Sequence, residues 1–312
     1  MRIGIDIMGS DHGPEVPIRG SVLAFRELPE EVRLVLIGDE AVIKTVLAEE
    51  GVDHTKFDIV PSADDMTMND NPTKAFQAKP RSSISIGFNL LKEGKLNAFA
   101  STGNTGAMLV GSVIFIKPIE GVLRPCIPTI VPKEKGGVGI LLDVGANADC
   151  KPEFLAQFGL LGSMLVKHVY GVESPKVGLL NIGEEEKKGD ALRQATFGLM
   201  KQQGDYNFVG NVEGRDLFNN KADVMVCDGF TGNVVLKVVE GFHDLLEDHG
   251  VDDPFLHRFN YENYGGLPIL GISGNVIIGH GISNDVAVKS MIMASRDVVL
   301  SKLNQRIREA LQ

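Results

Sequence analysis

Four small polar loops, each following an apolar run, carry the residue types that hold a phosphate-like anion. STGNTGA (Ser101 to Ala107) follows LNAFA, and DVGANADC (Asp143 to Cys150) follows GVGILL. IGEEEKKGD (Ile182 to Asp190) follows KVGLLN, and DGFTGNVV (Asp228 to Val235) follows ADVMVC. A buried strand feeding such a turn and then a helix presents free backbone N–H groups, and the helix dipole favours negative charge there. In the first loop Ser101, Thr102, Gly103, Asn104, Thr105 and Gly106 combine close backbone approach with hydroxyl and amide donors. Those donors suit a phosphate or a thioester carbonyl. The same stretch also reads as an ordinary strand-to-helix turn capped by Ser101 or Thr105. In the last loop Asp228, Gly229, Thr231 and Gly232 surround Asn233, a side chain able both to donate and to accept.

Charged candidates are fewer. Lys187 and Lys188 stand in a Gly-ended loop among carboxylates, where a lysine is ordinarily a solvated surface charge. Their place after a buried strand raises the functional reading. Lys79 and Arg81 precede a Ser-rich helix start and could neutralise a phosphate or a phosphopantetheine. Asp6 and Asp11 flank the first loop and could orient lysines or, less readily, bind a metal. His280, inside GHGIS, is the general acid or base candidate by type, beside a purely structural role. The chain shows no G-x-S-x-G elbow and no Ser-His-Asp set. A phosphate-holding edge without an enzyme nucleophile implies that phosphate is itself a reactant.

The elements that position these loops follow a regular rhythm. RIGIDIM, RLVLIG and FDIVP read as strands. Helices are expected from about Val16 to Phe25, after the cap Asp39, after Ser82 and Ser83, and through MLVGSVIFI. The polar stretch from Ser62 to Ser83 reads as irregular with one helical turn. Val286 to Leu311 reads as one long helix. The alternation specifies an α/β fold, a three-layer arrangement of sheet with helices on both faces. From Val238 to Tyr264 the rhythm breaks, and one or two amphipathic helices with exposed Phe and Leu are expected, with six acidic residues between Glu240 and Asp253.

Bulk properties narrow the function. With 312 residues and 43% apolar content, the chain can bury one large domain or two lobes. A net charge of −10 argues against nucleic acid as a partner. Cys126, Cys150 and Cys227 form no CxxC pair, and none has a suggestively spaced His, so they read as small buried side chains. The GxGxxG and GxxxxGK[ST] fingerprints are absent, which weakens NAD and ATP readings. The first residues, MRIGIDIMGSD, do not read as a signal peptide, and no apolar run reaches about 18 residues. A cytoplasmic protein, at most peripheral at a membrane, is expected.

Taken together, DIMGSDHGP, STGNTGA, DVGANADC, NIGEEEKKG, VGNVEGRD, DGFTGNVVLK and YGGLPILG followed by IIGHG resemble the phosphate acyltransferase family. The motifs run in order from Asp6 to Gly281. The resemblance implies transfer of a long-chain fatty acyl group from acyl carrier protein to inorganic phosphate, giving acyl phosphate for phospholipid synthesis. It implies a fold like that of isocitrate and isopropylmalate dehydrogenases, a homodimer, and a single domain over residues 1–312 with a helical tip at about 238–264. It places the family's catalytic lysine and asparagine on Lys188 and Asn233, with no metal and no organic cofactor. Ile7 and Ser10 depart from the family's usual Ala and Gly. The tip is shorter and more acidic than in many relatives, so only weak peripheral membrane contact carries over. Other readings are a short-chain phosphate acetyltransferase using acetyl-CoA, a metal- and nicotinamide-dependent hydroxyacid dehydrogenase of the related fold, and a non-enzymatic binding module.

Overall fold

The computed structural model describes residues 1–67 and 69–312, with Tyr261 in its backbone only. The chain opens with β1 (Arg2–Asp6), α1 (Glu15–Glu27), β2 (Arg33–Gly38), α2 (Glu40–Glu49), β3 (Asp58–Pro61), α3 (Pro72–Ala78), α4 (Ser83–Lys92), β4 (Ala98–Ser101) and α5 (Thr105–Gly111). It continues with β5 (Pro128–Pro132), β6 (Val138–Leu142), α6 (Pro152–His168), β7 (Lys176–Leu180), α7 (Ala191–Gln202), β8 (Asn207–Val212), β9 (Val224–Val226) and α8 (Gly229–Asp248). It closes with β10 (Gly266–Pro268), β11 (Asn275–Gly279), α9 (Asp285–Ser301) and α10 (Leu303–Ala310). Two compact units result: Met1–Pro118 with Tyr261–Lys302, and Ile119–Asn260 with Leu303–Gln312.

The first unit holds a six-stranded sheet in the order β10-β11-β4-β1-β2-β3, parallel except at the β10 edge. Side chains alternate across it as the period of two demands. Ile3, Ile5, Leu34 and Leu36 pack with Ile18, Val22, Ile43, Leu47, Val288 and Ile292 of α1, α2 and α9. Val35, Ile37 and Phe99 face the other way, toward Ile84, Phe88 and Met108 of α4 and α5. Local chemistry sets the helix starts. Asp39 accepts from the amides of Ala41 (2.8 Å) and Val42 (3.1 Å), and Ser82 accepts from Ser85 (3.2 Å).

The second unit holds a five-stranded sheet, β5-β6-β9-β7-β8, parallel except for the edge strand β5. Gly162 of α6 lies against Ile140, Leu142 and Val224 on one face. Leu141 and Met225 share the opposite face with Val235, Leu236 and Val239 of α8. Each unit is thus a sheet between two helical layers, as the alternation predicts, but the chain builds two such sheets.

Lys133 is a buried cation of this unit. Its Nζ donates to the carbonyls of Leu217 (3.0 Å) and Ala222 (2.7 Å). Burial, partly offset by Asp223, lowers its pKa to about 8. Because the folded pKa lies below the ordinary 10.5, the charged form carries a constant penalty below pH 8 that is relieved as pH rises from 8 to 10.5. Urea unfolding at pH 8 and pH 10 should therefore show a rising contribution in the parent that Lys133→Met lacks.

Several elements differ from the sequence reading. The segment after Ser62 contains two full turns, α3, capped by Asn71 on the amide of Lys74. The expected helix through MLVGSVIFI is α5 followed by a wider π-type turn over Ser112–Ile116. The C-terminal helix is broken at Lys302, whose φ of 54° is left-handed, so α9 ends in one unit and α10 belongs to the other. The tip does not start a helix at Val238; α8 runs unbroken from Gly229 for 20 residues. Phe259 then folds back onto Phe218, ring centroids 5.3 Å apart, and Phe255 packs on Phe259 at 5.3 Å. Among the described residues no helix is long and apolar enough to cross a membrane.

Candidate active site

Parallel pairing of β6, β9, β7 and β8 brings the loops after these strands to one edge of the second unit's sheet, where α/β folds place their ligands. The turn after β6 is organised by Asp143, whose buried carboxylate accepts from the amides of Ile127 (2.9 Å) and Asn147 (2.6 Å) and from Asn147 Nδ2 (3.0 Å). Burial pushes its pKa up against those bonds. The turn after β9 packs directly on this one. The Gly229 amide donates to Asn147 O at 2.7 Å, and a side chain at Gly229 would strike the Asn147 backbone. A Cβ on Gly232 would collide with Asp143 O. DGFTGN needs both glycines for this contact, which lays Asn233 against Gly145 (φ 97°). Gly232→Ala should abolish the contact and with it activity, a loss visible in the same assay that follows Asn233 variants.

The loop after β7 carries Lys188. It is held by amide side chains: Asn181 Nδ2 donates to Lys188 O (3.2 Å) and Asn211 Oδ1 (3.1 Å). Asn211 Nδ2 donates to Glu185 O (2.9 Å), and Gln194 Nε2 donates to Lys187 O (3.1 Å) and Gly189 O (3.0 Å). The backbone is thereby fixed, while the Lys188 side chain stays half exposed, with Nζ 3.8 Å from Glu185. That is a long, solvated pair. The cation therefore remains available to an anion.

Arg193 ties this loop to the α8 turn. One side of its guanidinium holds Asp190 (2.9 Å); the other holds Asp228 and Thr231 Oγ1 (3.0 Å). Asp228 also caps α8 through the Thr231 amide (2.8 Å). Burial raises its pKa, but the Thr231 amide and hydroxyl and the Arg193 charge outweigh it, so the carboxyl titrates below its ordinary value. Nearby, Glu184, Glu213 and Asp216 converge. Lys221 Nζ lies 2.8 Å from Glu184 and 3.0 Å from Asp216, so a cation of the protein already serves two of these carboxylates.

In the first unit, the loops after β1, β4 and β11 meet at the corresponding sheet edge. Ser101 Oγ donates to the buried Asp6 carboxylate at 2.6 Å and accepts from the Gly103 amide at 2.9 Å. Asn104, rather than Ser101 or Thr105, caps the following helix, accepting from Ala107 at 2.9 Å, and its Nδ2 donates to Thr67 O at 3.0 Å. Asp6, Ser101 and Asn104 are thus committed inside the unit, while Thr105 lies exposed and Gly106 packs on Pro72. Lys79 is bound to Asp70 and to the Asp65 carbonyl, both at 2.7 Å, so its charge is already paired. Arg81, Asp11 and His280 are exposed.

The cysteines are inert. Cys126 and Cys227 are buried, and burial raises both thiols well above the ordinary range; Cys150 is pushed up to about 12 for the same reason. Sequence reasoning missed Arg193, Asn211 and Gln194. Only the α7 start after Asp190 could have pointed to the arginine, since Asn211 and Gln194 act through tertiary contacts.

A family model described as "Fatty acid synthesis protein" matches residues 1–249. The phosphate acyltransferase of Halothermothrix orenii is 42% identical over 319 residues, covering 96% of this chain and 95% of that protein. Among solved structures, a phosphotransacetylase from Streptococcus pyogenes superposes with a TM-score of 0.67 at 14% identity, over 96% of this chain and 94% of that one. A 4-hydroxythreonine-4-phosphate dehydrogenase from Burkholderia phymatum gives 0.50 at 16% identity, over 98% and 97%. At such identities the two structures speak for the fold alone, which joins phosphotransacetylases with a dehydrogenase, in line with the fold that the family resemblance implies. With full-length identity above 40% and a family model over most of its length, the chain belongs to the phosphate acyltransferase family and is an acyltransferase.

Proposed function

We propose that the protein transfers a long-chain fatty acyl group from acyl carrier protein to inorganic phosphate, with Lys188 and Asn233 as the catalytic pair. The observation that carries this is the interlocked turn set of the second unit. It fixes the Lys188 backbone, leaves Nζ free for an anion, and holds Asn233 on the Gly145 turn. Phosphate binds with Lys188 as countercharge. One phosphate oxygen attacks the thioester carbon, forming a C–O bond. Asn233 and backbone amides stabilise the tetrahedral oxyanion, the dominant contribution in acyl transfer. The C–S bond then breaks, and the carrier thiolate takes a proton from solvent. Acyl phosphate leaves as the acyl donor for phosphatidic acid synthesis, and the whole chain works as one catalytic domain.

A homodimer is part of this reading. Phe230, Val234, Val238, Phe242 and Leu245 recur at helical spacing on α8 and are 47–67% exposed. This apolar stripe of about 22 Å favours a second copy over an anionic membrane, because Asp244, Glu247 and Asp248 flank it. This reading puts the protein's work in the cytoplasm, with membrane contact weak at most. Acetyl-CoA is the short-chain alternative. Turnover of palmitoyl-acyl carrier protein at least about tenfold faster than acetyl-CoA, a difference of about 1.4 kcal/mol in barrier, is expected; the reverse order would make the protein a short-chain transferase.

A further inference from the structure

The two most exposed large apolar side chains among the described residues stand on the sheet edge that carries Lys188 and Asn233. Ile182, in the loop after β7, is 80% exposed, and Phe230, in the turn after β9, is 67% exposed. A lone exposed apolar side chain is common on a protein surface, but here both fall on one edge of one unit. β7 and β9 are neighbouring parallel strands, paired from Val177 with Val224 to Leu179 with Val226. Arg193 joins the turns that follow them, holding Asp190 on one and Asp228 and Thr231 on the other. In the turn after β6, by contrast, Val144 is buried in the core.

Ile182 is tied to Lys188 from both sides. Its amide donates to Asn181 Oδ1 at 2.8 Å, and Asn181 Nδ2 donates to Lys188 O at 3.2 Å. The stem of Lys188 crosses the next residue, Gly183, where a Cβ would lie 3.0 Å from Lys188 Cγ and 3.3 Å from Cδ. The isoleucine backbone is thus fixed beside the lysine while its side chain is left in water. From Glu184 to Asp190 the loop is charged at every position but Gly189, so Ile182 is its apolar side chain. Acyl transfer supplies a cover for it. Attack on a thioester carbon beside Lys188 brings the alkyl carbons that follow to this edge. Hydrocarbon gains in proportion to the area it removes from water, so a long chain gains from Ile182 and the single methyl of acetyl gains little.

Resting on the reading that places the reaction at Lys188 and Asn233, we infer that Ile182 binds the acyl chain where it leaves the thioester and sets the preference for long acyl groups over acetyl. Phe230 continues the same apolar surface toward the α8 stripe. Steady-state kinetics of Ile182→Ser and Ile182→Leu with acetyl-, octanoyl- and palmitoyl-acyl carrier protein test this. The ratio of kcat/KM for the two longer donors over acetyl should fall about tenfold in Ile182→Ser and stay parental in Ile182→Leu, with the KM for phosphate unchanged. Melting of both variants should match the parent, because the side chain is exposed. An equal loss with all three donors would overturn the assignment, as would a raised KM for phosphate. A shift toward monomer in sedimentation of Ile182→Ser would also overturn it, giving Ile182 to a contact between copies. Calorimetry without phosphate separates this from the catalytic roles. Tighter binding of palmitoyl-acyl carrier protein than of unloaded carrier, with that advantage lost in Ile182→Ser, upholds the contact even without turnover. No advantage in the parent, or one kept in Ile182→Ser, overturns it.

Discussion

Lys188→Ala and Asn233→Ala are each expected to lower kcat by about 10²-fold or more. Lys188 is half exposed and paired only distantly with Glu185, so its removal leaves the fold intact. The loop is held through the Lys188 carbonyl, by Asn181, and not through its side chain. Loss of rate without loss of stability is therefore the signature of a group acting on substrate. Asn233 is likewise exposed and caps nothing; α8 is capped by Asp228. Steady-state rates alongside circular dichroism melts check both. Near-parental kcat in the two variants would remove them from the mechanism.

Arg193→Ala is expected to destabilise the protein by about 3–5 kcal/mol and to lower activity as well. Its partner Asp228 is 7% exposed at the side chain, and Arg193 itself 14%, so removing the guanidinium strands a buried carboxylate and releases Thr231. Adding Asp228→Asn should recover part of the loss, because Asn still caps a helix but carries no charge. Since the folded pKa of Asp228 is depressed, its contribution is present above the ordinary 3.8 and fades as pH falls below it. Urea titrations of the single and double variants at pH 7 measure the coupling. A strictly additive pair would mean that Arg193 does not hold the turn.

Much of this architecture was legible from local chemistry. Asp39 and Ser82 announced their helices because an Asx or Ser cap is a contact over two or three residues. The glycines of DGFTGN announced a tight turn, although the surface they approach, Asp143 and Asn147, lies more than 80 positions away and only the fold shows it. A separation of 35 positions from Asp228 hid the role of Arg193. In STGNTGA, Ser101 and Asn104 have the chemistry of a ligand cradle and spend it on Asp6, Ala107 and Thr67, contacts that only the fold shows. The break at Lys302 was invisible, since a lysine in left-handed conformation carries no sequence signal and is imposed by burial of Leu303 and Ile307 in the second unit.

The central claim is that phosphate attacks the thioester directly, without an acylated enzyme. Stoichiometric enzyme mixed with palmitoyl-acyl carrier protein, with and without phosphate, tests it, with free carrier thiol and hydroxamate-trapped acyl phosphate followed together. Thiol release that requires phosphate and matches acyl phosphate mole for mole is the expected result; a burst of thiol in the absence of phosphate would contradict it.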